Sequence, residues 1–208
     1  CSSDLYDNAT VFGNAKIYDN AEIRDNAKVH SNVCIYDNAI VYGHAIVYAD
    51  ATVYNNAEIR DNATVFGSAK VYDNAEIRDN AAVFGSAKVC DNSKVYGNAI
   101  VAGYAIVFDN ATVYGYAKVF NNVCICNNAT VYGHANVYDS TQIFDNVEIC
   151  GDAELQGNTV IHGNAVIQSN KDYIVFKNWW SSGRYFTWTR SNNMWRVGCF
   201  YGTGKELV

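Results

Sequence analysis

Aliphatic residues recur at every sixth position along most of the chain. From Leu5 to Ile167, each sixth residue is Val, Ile or Leu, which gives 28 matches without an exception. A small residue follows the first 27 of them by four positions, and 21 of these small residues are Ala. Asp-Asn and Gly-Asn pairs fill most of the space between. The pattern predicts a hexad with two buried positions, one aliphatic and one small.

Each hexad reads as a short strand followed by a corner. Val and Ile favour strands, whereas Asn, Asp and Gly favour turns, and we expect Asn and Gly to take positive φ there. Such a unit cannot bury an apolar face alone, so the hexads must stack. The segment 59–72 is nearly repeated at 77–90, 18 residues later. We therefore expect three hexads per coil and about nine coils.

This hexad resembles the unit of the hexapeptide-repeat superfamily, and the resemblance covers residues 4–170. It implies an all-β fold, a left-handed parallel β-helix of about nine triangular coils. The uninterrupted YDNA-type repeats also resemble uncharacterised repeat proteins of bacteria and phages. Because the superfamily commonly forms trimers of parallel prisms, the resemblance further implies a homotrimer.

The frame breaks at Lys171, where a long cation would occupy a small buried position. We therefore divide the chain into a β-helix (1–170) and an aromatic-rich element (171–208) that caps the β-helix or docks a partner. Segments 173–177, 184–190 and 194–201 predict a small three-stranded antiparallel sheet, and 202–208 resembles the start of a helix. This element holds all the tryptophans of the chain: Trp179, Trp180, Trp188 and Trp195.

Folding the sequence at 18 residues places the outward residues in columns. One corner carries an Asn in every coil from Asn20 to Asn164, and these amides can bond to one another along the stack. An acidic column precedes it, from Asp19 to Asp145. These carboxylates could form a cation-binding ridge, or they could accept bonds from turn N–H groups. We favour the second interpretation.

Aromatic columns mark candidate interfaces, because contiguous exposed apolar stripes usually bind something. One runs through Tyr18, Tyr36, Tyr54 and Tyr72. Another supplies the residues that we expect at a subunit interface: Phe12, Tyr48, Phe66, Phe84, Phe120 and Tyr138.

A third column alternates arginine with tyrosine and is flanked by glutamates. It is either a solvated face with weak ion pairs or a site for a small anion or nucleotide, with Arg holding phosphate and Tyr stacking on a base. The residues that would form this ligand site are Arg24, Tyr42, Arg60, Arg78 and Tyr96.

Catalysis and metal binding have weaker signals. Many hexapeptide-repeat proteins are acyltransferases that use a His base and projecting loops, but here no hexad is interrupted, and His44 and His134 lie five coils apart, about 24 Å. Four scattered His residues supply no ligand set for zinc. We expect no catalytic residue, metal or cofactor, and keep an acyltransferase as an alternative.

Composition adds further limits. The net charge of −6 disfavours a nucleic-acid polymer as partner, and no run of about 18 apolar residues predicts a membrane span. Seven cysteines without CxxC spacing favour a reduced, cytoplasmic protein. The opening Cys1 suggests a lipoprotein, yet Ser3 already fits the small position of the repeat, so we favour a chain cut from a longer product.

The function predicted from these observations is that of a non-catalytic, oligomeric β-helix scaffold or binding protein. A sharper hypothesis is a phage-type protein that sequesters a small anionic or nucleotide ligand between subunits. Two alternatives stay open: a structural or adhesive spike that binds carbohydrate or a cell surface through the tail, and an acyltransferase.

Overall fold

The computed structural model describes residues 4–180 and 183–207, and this part of the chain contains strands and turns but no helix. Expectations that depend on Cys1 or Ser3 fall outside the described residues. The first 28 strands, β1–β28 in chain order, have two residues each, and each ends at one of the periodic aliphatic residues. The hexad thus sets both the length and the spacing of these strands.

The 28 strands form three parallel sheets, because each strand pairs with the strand three hexads away. The register is 18 residues throughout, as in Ile59 opposite Ile77, so the predicted coil length is confirmed. Sheet A contains β1 (Asp4–Leu5), β4 (Glu22–Ile23), β7 (Ile40–Val41), β10 (Glu58–Ile59), β13 (Glu76–Ile77), β16 (Lys94–Val95), β19 (Thr112–Val113), β22 (Thr130–Val131), β25 (Glu148–Ile149) and β28 (Val166–Ile167).

Sheets B and C have nine strands each and alternate with sheet A along the chain. Sheet B contains β2 (Thr10–Val11), β5 (Lys28–Val29), β8 (Ile46–Val47), β11 (Thr64–Val65), β14 (Ala82–Val83), β17 (Ile100–Val101), β20 (Lys118–Val119), β23 (Asn136–Val137) and β26 (Glu154–Leu155). Sheet C contains β3 (Lys16–Ile17), β6 (Cys34–Ile35), β9 (Thr52–Val53), β12 (Lys70–Val71), β15 (Lys88–Val89), β18 (Ile106–Val107), β21 (Cys124–Ile125), β24 (Gln142–Ile143) and β27 (Val160–Ile161).

The core is one continuous column of aliphatic and small side chains along the axis. From Ala21 to Ile167, the periodic aliphatic and small positions are completely or almost completely buried. Leu5 is 53 % exposed, because no coil covers it among the described residues. Where the small position holds a hydroxyl, the group is satisfied: Ser93 donates to the carbonyl of Cys90 at 2.6 Å.

The corners are turns in which the second residue after the buried aliphatic has positive φ. This residue is usually Asp or Gly, as in Asp37 (59°) and Gly43 (71°). The expectation that Asn takes the positive φ is therefore wrong for the Asp-Asn pairs, where Asp takes it. At Gly43 a Cβ atom would also lie 2.8 Å from the backbone nitrogen of Asp61, so the close stacking of coils favours glycine there.

The Asn and Asp columns hold successive corners together. From Asn20 to Asn164, each side-chain amide donates to the next at 3.0–3.4 Å, which is the predicted ladder. In the acidic column, Asp145 accepts a bond from the backbone N–H of Gly163 at 2.9 Å, one coil later. Such bonds support the turn-capping interpretation of these carboxylates.

The tail is a four-stranded antiparallel sheet, not the three-stranded sheet expected from the sequence. Its strands are β29 (Tyr173–Lys177), β30 (Tyr185–Thr189), β31 (Met194–Val197) and β32 (Phe200–Thr203). The expected third strand is divided at Gly198, which takes a φ of 57°. The helix expected over 202–208 is also wrong, because Gly202 and Thr203 pair in the sheet and turns follow.

The tail sheet covers the last strands of all three β-helix sheets. Exposed strand edges carry unpaired N–H and C=O groups, and here tail side chains bond to them. The bonds are Tyr173 Oη to the carbonyl of Glu154 (2.8 Å), the N–H of Val160 to Thr187 Oγ1 (3.4 Å), and the N–H of Val166 to Ser191 Oγ (2.7 Å).

Candidate functional site

The phenylalanine column is a stack of five rings at the end of successive sheet B strands. Its ring centroids lie 4.7–5.1 Å apart and its ring planes are within 13° of parallel: Phe12, His30, Tyr48, Phe66 and Phe84. Ala102 follows Phe84 and interrupts the stack. Four of the predicted interface residues are thus brought together, while Phe120 and Tyr138 lie beyond the interruption.

The strand residues beside this column are also uncharged over four coils. Sheet B presents Ile46, Thr64, Ala82 and Ile100 next to Tyr48, Phe66, Phe84 and Ala102. We name these eight residues the apolar patch. Lys28 and Lys118 lie one coil before and one coil after it.

The tyrosine column lies at the end of the sheet C strands. Tyr18, Tyr36, Tyr54 and Tyr72 stack with centroids 4.9–5.0 Å apart. Unlike the patch, its strands carry Lys70 and Lys88 among them. Burial raises the pKa of Cys90, which follows Tyr72 in the column, to about 11, so its thiol is protonated at neutral pH.

The arginine column, Arg24 to Tyr96 on sheet A, brings the five predicted ligand residues together. Arg60 is enclosed by carboxylates: its Nη1 lies 3.0 Å from Asp61, and it also pairs with Glu58 and Glu76. Arg78 pairs with Glu76 and Asp79 in the same way. These ion pairs run along the coils as well as across one strand.

Tyrosines complete the arginine column. The guanidinium of Arg78 lies 4.0 Å from the ring centroid of Tyr96, and that of Arg24 lies 4.7 Å from Tyr42. Burial and a hydrogen bond to Glu58 raise the pKa of Tyr42 to about 12. An anion that binds here must compete with carboxylates already in place, and the predicted anion site remains a prediction.

A groove at the corner between sheets A and B contains His134. It has a volume of about 550 Å³, and the His134 ring stacks on Tyr116 at 5.0 Å. Lys118 and Asp152 also line it. His44 belongs to the same corner column but lies 90 residues earlier, so the two His residues do not share a site.

Metal-ligating residues are scattered in the described part of the chain. Within residues 4–180 and 183–207, no three His, Cys, Asp or Glu side chains are placed to hold a metal ion. The six described cysteines are free thiols. Burial raises the pKa of Cys126 to about 12, which makes a thiolate ligand unfavourable at neutral pH.

A cleft separates the tail sheet from the last coils of sheet C. It has a volume of about 430 Å³ and is open to solvent. Its floor is formed by Gln142, Asn158 and Val160, and its other wall comes from β29–β31 with the turns beside them. We name it the tail cleft; it contains three cationic residues, Lys177, Arg184 and Arg196.

The tail tryptophans divide into two groups. Trp179 and Trp180 follow β29 and are 76 % and 98 % exposed. Trp188 and Trp195 contact each other in the sheet, and the Trp195 ring meets Phe176 edge-on. The adhesive hypothesis for these residues is untested and stays a prediction.

Sequence reasoning missed the tail cleft. Its cations are spread over 20 residues without a motif, and only the pairing of β30 with β31, which sets Thr187 opposite Arg196, brings them to one face. The available signal was charge, since residues 171–208 hold six Lys or Arg but two Asp or Glu.

Comparison with known proteins identifies the fold. The structure is a left-handed parallel β-helix of the kind formed by hexapeptide-repeat proteins, as predicted from the hexads. One similar solved structure is the UDP-N-acetylglucosamine O-acyltransferase of Moraxella catarrhalis, with a TM-score of 0.65 and 15 % identity over 90 % of this chain and 75 % of that one. No protein-family model and no curated protein matches the sequence. Among the described residues, no helix is long and apolar enough to span a membrane.

Proposed function

We propose that the protein is a non-catalytic β-helix scaffold that assembles into a homotrimer through the apolar patch on sheet B. The observation that carries this proposal is the run of uncharged residues over four successive coils, from Ile46 to Ala102. Contiguous apolar surface of this kind marks an interaction site. The resemblance to hexapeptide-repeat proteins supports a second and third copy of this chain as the partners.

The flatness of the patch supports self-association. Its rings stack along the axis at a constant spacing, so they form a level surface that another level surface can cover. Sheet C is a poorer candidate, because Lys70 and Lys88 would have to be desolvated without partners from their own column.

The test is the oligomeric mass of the full chain with and without a charge in the patch. We expect native mass spectrometry and light scattering to give three times the 23.0 kDa of one chain. Phe66→Arg should give monomers, because it places three charges in contact at the centre of the assembly. A monomeric wild-type protein contradicts the proposal.

The matched control is Tyr54→Arg. Tyr54 is also an interior ring of a stacked column, between Tyr36 and Tyr72, so the substitution removes equivalent stacking on sheet C. We expect this variant to remain trimeric. Dissociation of both variants, or of Tyr54→Arg alone, excludes the sheet B interface.

Sequestration of a small anionic or nucleotide ligand between subunits, as in a phage-type binding protein, is the finer form of this proposal. It is supported by the clustering of Arg24, Arg60 and Arg78 in one column, and opposed by the carboxylates that pair with them. The same native mass spectra test it: a reproducible small adduct on the trimer, lost in Arg60→Ala, is the expected result.

An acyltransferase is the rival function, and the groove around His134 is the observation that favours it. Turnover of an acyl-CoA that is lost in His134→Ala would replace the scaffold proposal. Absence of turnover in a correctly assembled trimer leaves the scaffold proposal in place.

A further inference from the structure

We propose that the tail cleft binds a small molecule that carries a phosphate group, held by Arg196, Arg184 and Lys177. This inference concerns a different part of the molecule from the sheet B interface and the arginine column, and it does not depend on the oligomeric state. The cleft volume of about 430 Å³ lies within the usual range of small-molecule sites.

Charge is the first argument for this ligand class. Three of the nine residues that line the cleft are cationic, and none of these described lining residues is acidic. The arginine column differs in this respect, because each of its arginines is paired with carboxylates. An anion in the tail cleft would therefore add ion pairs without displacing a carboxylate among the lining residues.

The positive potential also extends below the cleft. The ring of His162 packs against Tyr201 on the neighbouring tail strand β32. Burial lowers the pKa of His162 first, and the nearby positive charge of Arg196 lowers it further, while Asp145 acts in the opposite direction. The effect of Arg196 on this ring places its charge close to the last coil of the β-helix.

The whole tail has the opposite charge to the β-helix. Residues 171–208 carry a net charge of +4, whereas residues 1–170 carry −10. Long-range repulsion by the β-helix would disfavour an anion along most of the molecule, so the tail is the favoured end for anion capture.

The donor geometry favours phosphate over a simple halide. Arginine presents a planar fork that binds phosphate oxygens in pairs, and lysine adds a point charge. Uncharged donors and acceptors surround these cations, including Gln142, Asn158 and Thr187. Thr187 is 2 % exposed and already accepts the N–H of Val160, so the floor of the cleft is fixed.

Aromatic side chains beside the cations indicate a ring on the ligand. Tyr185 lines the cleft. The ammonium of Lys177 lies 3.9 Å from the ring centroid of Trp179 and 5.4 Å from that of Tyr185. A ligand whose phosphate reaches the arginines can therefore place an attached ring near Tyr185 or Trp179.

The experiment is a calorimetric titration of the full-length protein with phenyl phosphate, inorganic phosphate and phenol. We expect saturable binding of phenyl phosphate, weaker binding of inorganic phosphate and no detectable binding of phenol. Added salt should weaken the binding, since the cleft is open to solvent. Absence of saturable binding of either phosphate contradicts the proposal, as does phenol binding equal to that of phenyl phosphate.

Charge-matched variants localise the site. Arg196→Gln and Lys177→Gln should each weaken phenyl phosphate binding by about tenfold or more. Lys205→Gln, an exposed tail lysine outside the cleft, should leave it unchanged. Circular dichroism checks that each variant is folded, and Lys177→Gln serves if Arg196→Gln is not. Equal losses in the cleft variants and in Lys205→Gln would show attraction to the tail charge in general and overturn the site.

Discussion

The β-helix and the tail sheet differ in how the position of a residue relates to its surroundings. In the β-helix, position within the hexad decides burial: from Ile23 to Ile167 every periodic aliphatic residue is enclosed, whatever coil it belongs to. In the tail, alternation alone does not decide it. Phe176 is 47 % exposed, whereas Thr187 is 2 % exposed. Repetition makes an environment predictable, and a sheet that docks once has no such rule.

The largest expected effect tests this rule in the β-helix. Val65→Asp buries an unpaired carboxylate among aliphatic side chains, and we expect it to lower the free energy of unfolding by more than about 4 kcal/mol. Its neighbour Thr64 is half-buried and points outward, so Thr64→Asp should cost less than about 1 kcal/mol. Urea unfolding measures both. Similar losses in the two variants would refute the claim that hexad position decides burial.

A smaller effect is expected where the two regions join. Ser191→Ala removes the acceptor for the N–H of Val166, which lies on the last strand of sheet A. We expect a loss of about 1–3 kcal/mol, because a strand-edge donor is left without its partner. Hydrogen exchange at Val166 should accelerate, while exchange at the equivalent residue Lys94, four coils earlier, should not change. Equal acceleration at both sites would mean that the tail stabilises the β-helix globally.

The smallest expected effect is the pH response of this junction. The pKa of His162 lies below 6.5 in the folded protein, chiefly because the ring is buried. Above pH 6.5 the ring is neutral in both states and its contribution is complete. As the pH falls from there toward the folded pKa, the unfolded state binds the proton more readily and the free energy of unfolding decreases.

Substitution of the ring isolates this response. His162→Phe keeps a ring that can stack on Phe144, as His162 does at 4.7 Å, but removes the titrating group. Melting temperatures measured between pH 7 and pH 5 should then decline less than in the wild type. An equal decline in both proteins would assign the response to other groups, such as the carboxylate of Asp145.

Most of the β-helix could be predicted from its sequence, and less of the tail. The hexads determine the strands, the register and the buried positions, because a repeated unit can meet only copies of itself. Sequence also placed Arg60 beside Glu58, but not the bond from Arg60 to Glu76 in the next coil, which depends on side-chain conformation. In the tail, an apolar run concealed the turn at Gly198, and the cleft depends on how the sheet docks.

The 18-residue register also limits how this chain can change its length. Removal of a complete coil would return every later side chain to its own face, and the molecule would shorten by about 4.8 Å. Removal of one hexad would preserve the buried pattern equally well, yet it would turn everything after it by a third of a revolution. The aromatic rings of sheet B would then continue on another side, and the tail would close the end in a rotated position. Insertions and deletions in multiples of three hexads are therefore the ones that leave the surface intact.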